Sequence, residues 1–113
     1  MIARATCRPI PKNKRAADKK LAKRMKEEIG CCERCGSTKY LEWAHIKSKG
    51  SGGPDIPQNG VVLCGPASMG MGCHGLEHKG KIDKEELWKL AARREGIGVE
   101  ECKAIVREDM GYA

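Results

Sequence analysis

The sequence predicts a small α+β domain, with two short strands flanked by helices. Three observations favour this fold class. The chain has 113 residues, no Phe and only 4% aromatic residues, so its apolar core must be thin. Short apolar runs of strand-like spacing lie between longer segments with an apolar residue every three or four positions. Seven cysteines offer a means of stabilising such a thin core.

Positive charge is concentrated at the N-terminus. Residues 1–26 carry ten Lys or Arg and one acidic residue. Residues 27–113 carry twelve Lys or Arg and fourteen acidic residues. We interpret the first part as a basic arm and helix, and the second as the metal-stapled domain with its C-terminal helices. The basic block favours a polyanionic partner, or else is a solvated surface without one. The candidate nucleic-acid contacts are Lys12, Lys14, Arg15, Lys19, Lys20, Lys23, Arg24, Lys47 and Lys49.

The first helix is predicted over Ala16–Ile29. Residues 1–15 should be irregular because Pro9 and Pro11 interrupt helical hydrogen bonding. Beyond them, apolar residues recur every four positions and form one stripe, while lysines occupy the other faces. Gly30 is a typical residue for the helix end.

A knuckle and a hairpin follow this helix. Cys32 and Cys35 are separated by two residues, the usual spacing for two ligands of one metal ion, and Cys31 is an alternative to Cys32. Leu41–Ile46 is predicted as a first strand, and residues 61–63 as a second. Between them, residues 47–54 have the composition of a loop, and a turn is expected at Asn59-Gly60.

The second cysteine pair completes a zinc site. Cys64 ends the second strand and Cys73 follows after eight residues, which should bulge outward. With Cys32 and Cys35 they supply four thiolates, enough for a closed tetrahedral and therefore structural Zn²⁺. Two alternatives are that the cysteines are free, or that His74 or His78 replaces a cysteine on the zinc.

Three helices complete the chain. A short one carries His74 and His78 on one face, since residues four apart lie side by side, and ends at Lys79-Gly80. The next begins after Asp83, which with Glu86 resembles a capping box. Residues 99–110 form the last helix. Cys102 lies on its apolar stripe, as expected of a buried thiol. In the preceding helix, Trp88 is expected beside the inner face formed by Leu87, Leu90 and Ala91.

We expect a cytoplasmic protein without a membrane partner. No run of about 18 apolar residues is present, so no transmembrane helix is predicted. The basic N-terminus lacks the apolar block of a signal peptide. Cysteines in the cytosol remain reduced, which favours metal ligation over disulfides.

The three histidines indicate phosphodiester hydrolysis. Such a reaction needs a base to activate water and a cation to stabilise the developing charge. His74 and His78 can hold a divalent metal, and His45 at the end of the first strand can face it across the hairpin. All the histidines of the chain lie in this one window, although each alone is compatible with a structural role.

Residues 32–78 resemble the HNH endonuclease family, including small phage-encoded members with two cysteine pairs. The resemblance is carried, in order, by Cys32, Cys35, Ala44-His45-Ile46, Gly52-Gly53, Asn59, Leu63-Cys64, Cys73-His74 and His78. It implies a ββα-metal core, with His45 as general base, Asn59 holding the hairpin and His45 in place, and His74 and His78 binding Mg²⁺, Mn²⁺ or Ni²⁺. It also implies products with 5′-phosphate and 3′-hydroxyl ends.

Two features depart from the family pattern. The residue before the base is often an acidic or histidine metal ligand, but here it is Ala44. Three explanations remain open: water fills the ligand position, one of the carboxylates of Asp55, Glu42 or Glu77 supplies the ligand instead, or the activity is weak. The second departure is the insertion between the last two cysteines, which we expect to extend away from the site.

The sequence therefore predicts an endonuclease acting on duplex DNA by metal-dependent hydrolysis. If it is phage-encoded, the host cytoplasm is its location, and phage packaging or recombination proteins are candidate partners. Alternatives are a catalytically weak or inactive zinc-stabilised nucleic-acid-binding module, which Ala44 favours, and an interaction protein whose cysteines only stabilise a small fold.

Overall fold

The computed structural model describes residues 14–111 of the chain, with side chains from residue 20 onward. In this range it is a small α+β domain with four helices and one two-stranded sheet, as predicted. Three short 3₁₀ turns lie in the connections. The helices and strands are α1 (Lys14–Ile29), β1 (Leu41–His45), β2 (Gly60–Cys64), α2 (Gly72–His78), α3 (Lys84–Glu95) and α4 (Val99–Asp109).

The sheet is an antiparallel pair covered on both faces. Leu41 pairs with Cys64 at one end, and His45 pairs with Gly60 at the other. All five residues of β2 are buried, which agrees with its uninterrupted apolar sequence. The register thus places the two ends of the predicted site, Cys64 and His45, at opposite ends of the hairpin.

One face of the sheet packs against α1. Leu21 and Met25 of the predicted apolar stripe form a small cluster with Val62, and Trp43 packs against it. The helix ends as predicted, because Gly30 adopts a positive φ of 75°. The N-terminal helix is therefore joined to the sheet by apolar contacts.

The other face packs against α3 and α4. Ala44, Val61 and Leu63 of the sheet, together with Ile46 just after β1, share the main core with the two helices. The helix residues in that core are Leu87, Trp88, Ala91, Ala92, Cys102 and Val106. Cys102 is the buried thiol that the sequence predicts.

One expectation for α3 is wrong. The Asp83 side chain accepts from the Glu85 backbone N–H, as an N-cap should, but Glu86 does not complete a capping box. Its carboxylate instead pairs at 2.8 Å with Arg34, because a cationic partner from the cysteine knuckle lies beside it. Trp88, expected beside the inner face of α3, is buried in the core with Leu87 and Ala91.

Several predicted boundaries shift by one or two residues. β1 ends at His45, so Ile46 lies beyond it, and the expected turn at Asn59-Gly60 is a 3₁₀ turn over Pro57–Asn59. α1 starts at Lys14, before the predicted Ala16. The expected irregular arm lies mostly outside the described residues. Within residues 14–111, none of the helices combines the length and apolar character that a membrane crossing requires.

Arg94 of α3 ties the loop after β1 to the knuckle. Its guanidinium donates to Glu33 at 2.7 Å and to the carbonyl oxygens of Gly60 and Pro57. The same group lies 5.6 Å from the centre of the Trp43 ring. These contacts hold the start of β2 and the indole in one position.

Gly60 makes room for that indole. A Cβ added at this position would lie 2.2 Å from a carbon of the Trp43 ring, far inside normal contact distance. We expect Gly60→Ala to lower the free energy of unfolding by about 1–3 kcal/mol, the usual cost of overpacking. Thermal unfolding in zinc-containing buffer should show the loss as a lower midpoint.

Gly50→Ala is the matched control, since its Cβ would meet only Ser48 Oγ at 4.0 Å. Its midpoint should stay close to that of the unmodified chain, because exposed substitutions usually change stability by less than about 0.5 kcal/mol. Equal midpoints for the two variants would contradict the role assigned to Gly60.

Candidate metal centres

Four cysteine sulfurs gather into one cluster. The Sγ atoms of Cys32, Cys35, Cys64 and Cys73 all lie within 4.8 Å of one another. Cys35 Sγ is 3.6 Å from Cys64 Sγ. Zn–S bonds of about 2.3 Å in a tetrahedron imply sulfur separations of about 3.8 Å. The predicted set is therefore confirmed as a cluster that can bind zinc, and it contains Cys32 rather than Cys31.

The backbone around each cysteine pair supports thiolate ligands. The N–H of Cys35 points to Cys32 Sγ, and the N–H of Cys73 points to Cys64 Sγ, each at 3.4 Å. Gly36 closes the first turn with a φ of 85°, and its N–H donates to the Cys32 carbonyl. Such N–H bonds favour the charged form of sulfur.

The cysteines differ in how readily they lose a proton. Burial opposes ionisation of Cys32, but backbone N–H groups around its sulfur outweigh this and lower its pKa to about 7. Burial raises the pKa of Cys73 to about 12, against the opposing effect of Arg34, whose Nη1 is 3.6 Å from the sulfur. Four thiolates this close would repel one another, so a bound cation would be needed for all four sulfurs to ionise together.

The insertion between Cys64 and Cys73 packs onto the fold. A Cβ on Gly72 would lie 2.4 Å from the Cys64 carbonyl oxygen, and one on Gly75 would lie 2.4 Å from the Gly70 carbonyl carbon. These close contacts bring the insertion against α2. The Ala67 N–H of the insertion also donates to Glu42, whose carboxylate bonds His74, so the expectation that the insertion extends away from the site is wrong.

A second group of possible ligands lies on α2. His74, Glu77 and His78 each offer one ligand atom within 4.8 Å of the others. Glu77 Oε1 is 3.9 Å from His74 Nε2 and 3.7 Å from His78 Nε2. The spacing follows from the helix, because residues three and four apart share a face. Two imidazoles and one carboxylate suit a divalent transition metal.

Glu42 of β1 orients His74. Its Oε1 is 2.7 Å from His74 Nδ1, which leaves Nε2 directed to the Glu77 side. The same oxygen accepts the backbone N–H of Ala67 in the insertion at 3.0 Å. Partial burial tends to raise the pKa of Glu42, but the Ala67 and His74 bonds together lower it. A charged carboxylate behind a ligating histidine fixes its ring and raises its basicity.

His45 is held by a different carboxylate. Its Nε2 lies 2.9 Å from Asp55 Oδ1. A carboxylate only accepts hydrogen bonds, so the proton between them belongs to Nε2 and the lone pair of the neutral ring is on Nδ1. Lys49 approaches the other Asp55 oxygen at 3.3 Å. His45 thus has one nitrogen fixed and the other available as a base.

All three histidines line one cavity of about 450 Å³. Glu77 lies beside them, and the remaining lining residues are Trp43, Ser48, Lys49 and Lys84. Lys84, at the start of α3, donates from Nζ to the carbonyl of Ile46. The hairpin, α2 and α3 therefore each contribute to this cavity, as the sequence predicts for the hairpin and α2.

The chain matches no protein-family model, no curated protein and no solved structure. The chemistry of the cavity therefore rests on its own geometry.

The alternatives for the ligand position at Ala44 can be compared in the structure. Ala44 is buried in the main core and cannot ligate a metal. The Glu42 carboxylate is hydrogen-bonded to His74, and the Asp55 carboxylate is hydrogen-bonded to His45. Glu77 is the carboxylate that lies with the two α2 histidines.

Asn59 is fully buried under the loop between the strands. Its Nδ2 donates to the carbonyls of Lys47 and Pro54, each at 3.0 Å, and its Oδ1 accepts the Lys47 N–H at 2.8 Å. These bonds join both ends of the loop that follows His45. Asn59 is thus placed to hold the loop rather than to touch a substrate.

The predicted nucleic-acid contacts are only partly described. Lys12 lies outside the described residues, and the side chains of Lys14, Arg15 and Lys19 also do. The remaining five are exposed, with Arg24 paired to Glu28 and Lys49 to Asp55; they are Lys20, Lys23, Arg24, Lys47 and Lys49.

Two residues that line the cavity carry no local sequence signal. Trp43 has the sequence pattern of an ordinary apolar strand residue. Lys84 lies 39 positions after His45, and only the fold brings it to the site.

The zinc ligands can be tested with neighbouring cysteines. Cys32→Ser should remove bound zinc and reduce folded structure, because binding energy at such a site is folding energy. Cys31→Ser, one residue earlier, should keep about one zinc per chain, as four thiolates require. Elemental analysis after dialysis against a weak chelator gives both values. Zinc lost from Cys31→Ser but retained in Cys32→Ser would contradict the assignment.

The role of Glu42 can be tested by metal binding without any activity assay. Glu42→Gln should weaken Mn²⁺ or Ni²⁺ binding at α2 about 10- to 100-fold, the usual effect of removing a carboxylate behind a histidine ligand. Titration calorimetry on zinc-loaded protein measures this. Glu27→Gln, an exposed change on α1, should have no effect, and equal affinities for all three proteins would rule out the proposed orientation of His74.

Proposed function

We propose that this chain is a metal-dependent HNH-type endonuclease that hydrolyses DNA phosphodiester bonds. In this proposal the hairpin and α2 form a ββα-metal core, and the four cysteines hold a structural Zn²⁺. The observation that carries the proposal is the cavity that His45 shares with His74, Glu77 and His78. In that cavity Asp55 fixes the candidate base His45. Glu42 fixes His74, one of the candidate metal ligands beside it.

In this mechanism, His74, Glu77 and His78 would hold Mg²⁺, Mn²⁺ or Ni²⁺. A metal bound there would supply positive charge that stabilises the phosphate and the leaving 3′ oxygen. His45 Nδ1 takes the proton of the attacking water, and Asp55 at Nε2 stabilises the resulting imidazolium. The products would carry 5′-phosphate and 3′-hydroxyl ends.

Cationic side chains supply the remaining electrostatics. Lys49 and Lys84 line the same cavity and favour the approach of a phosphate. The exposed lysines of α1 extend the basic surface and would hold the DNA backbone without reading its sequence. We propose duplex DNA as the partner and a cytoplasmic location, in the host if the chain is phage-encoded, where phage packaging or recombination proteins would be further partners.

A second candidate is a zinc-stabilised nucleic-acid-binding module with weak or no turnover. The burial of Ala44 favours it, because that position supplies no ligand and all three remaining donors come from one short helix. The same cavity and basic surface would then bind phosphate without cleaving it. The two candidates differ in whether His45 changes the rate of a reaction.

His45→Ala should slow nicking of supercoiled plasmid by about 10²- to 10⁴-fold, the usual contribution of a general base. Gel assays with Mg²⁺, Mn²⁺, Ni²⁺ or no added metal measure the rate and identify the metal. Zinc content should remain that of the unmodified chain, since His45 lies outside the cysteine cluster.

Lys81→Ala provides the comparison, because Lys81 is exposed and does not line the cavity. Its nicking rate should equal that of the unmodified chain. Salt-dependent DNA binding with no cleavage under any metal would support the second candidate and rule out the first.

A further inference from the structure

A second cavity adjoins the proposed catalytic one. It has a volume of about 400 Å³, within the range of roughly 300–1,000 Å³ usual for small-molecule sites. Trp43, His45 and His74 line both cavities. Neither the zinc cluster nor the proposed hydrolysis uses this second space, which we call the side pocket. An occupant of the side pocket would therefore lie next to any phosphate held at the histidines.

The lining of the side pocket suits a flat aromatic group. Trp43 supplies an indole, and Ala22 of α1 and Ala67 of the insertion are small apolar neighbours. The indole is fixed in place, because the ring packs against Gly60 and the Arg94 guanidinium lies over it. A preformed aromatic surface of this kind binds another π system by stacking, with little ordering cost.

The polar groups of the side pocket favour a nucleobase over a second phosphate. The Glu42 carboxylate lines it, so the negative charge of a phosphate would be repelled there. Base edges carry N–H donors that a carboxylate or the Ser68 hydroxyl can accept. Lys26, which also lines the pocket, can approach the phosphate of an adjoining nucleotide.

We propose that the side pocket binds an unpaired nucleobase beside the scissile phosphate. This inference rests on the proposed endonuclease function and refines its substrate. A base inside a continuous duplex is stacked on both sides and cannot present its face to Trp43, so the preferred DNA has a displaced, bulged or single-stranded nucleotide next to the cut. The expectation of duplex DNA then narrows to duplexes interrupted at that point.

The binding test uses an oligonucleotide duplex with one unpaired 2-aminopurine, whose fluorescence is quenched when it stacks. The full-length, zinc-loaded chain without added Mg²⁺ or Mn²⁺ should quench it, whereas 2-aminopurine in a fully paired duplex should show no further quenching. Ser68→Leu should abolish quenching, because the larger side chain at the pocket lining would obstruct the position of the base. Met69→Leu, the adjacent exposed position that does not line the pocket, should retain it.

The cleavage test compares the same two duplexes with Mn²⁺ present. Cutting next to the unpaired nucleotide should be roughly 5- to 150-fold faster than in the paired duplex, the range a stacked base contributes. Ser68→Leu should remove this preference, whereas Met69→Leu should keep both the preference and the slow cleavage of paired DNA.

The outcomes distinguish the side pocket from the proposed function. Selective quenching by the unmodified chain and Met69→Leu, without any cleavage, would support the pocket while removing the nuclease. Cleavage with equal rates on both duplexes and no quenching would overturn the pocket while leaving the nuclease. Equal quenching by Ser68→Leu and the unmodified chain would also overturn it.

Discussion

Four sulfur atoms join three parts of the chain that apolar packing alone would hold weakly. The knuckle after α1, the end of β2 and the first turn of α2 meet at Cys32, Cys35, Cys64 and Cys73. The main core is thin and lacks Phe, and a seven-residue helix such as α2 is not stable by itself. A cation bound there would supply folding energy and also fix where α2 begins.

The position of α2 determines the rest of the site. Cys73 is followed directly by His74, and one helical turn later come Glu77 and His78. Oε1 of Glu42 in β1 bonds both His74 and the Ala67 N–H of the insertion, so the sheet, the insertion and the helix share one carboxylate. The cysteine cluster that stabilises the fold thus also sets the positions of the three candidate metal ligands. The side pocket remains open between the insertion and α1.

Local patterns in the sequence were sufficient for most of the fold. Apolar spacing and Gly30 predicted α1, and ligand spacing predicted the four cysteines, because both follow from contacts between residues near in sequence. Contacts between distant residues were not predictable in this way. Glu86 fits a capping box by sequence, yet Arg34 of the knuckle takes its carboxylate.

In the candidate site too, local sequence patterns were predictable and contacts between distant residues were not. The three histidines were found by their residue type and their spacing, and the cavity they share agrees with that expectation. The partners that hold them, Asp55 for His45 and Glu42 for His74, were only alternatives for a metal ligand, since nothing local distinguishes a ligand from the carboxylate behind one. The insertion was expected to point away because its length says nothing about the close glycine contacts that turn it back.

Anomalous diffraction from crystals soaked in Mn²⁺ tests the central claim most directly. The account predicts two separate peaks at different absorption edges: zinc bound by four sulfurs at about 2.3 Å, and manganese at His74, Glu77 and His78. A single metal position, or zinc bound by an α2 histidine with one of the four cysteines left out, would contradict it.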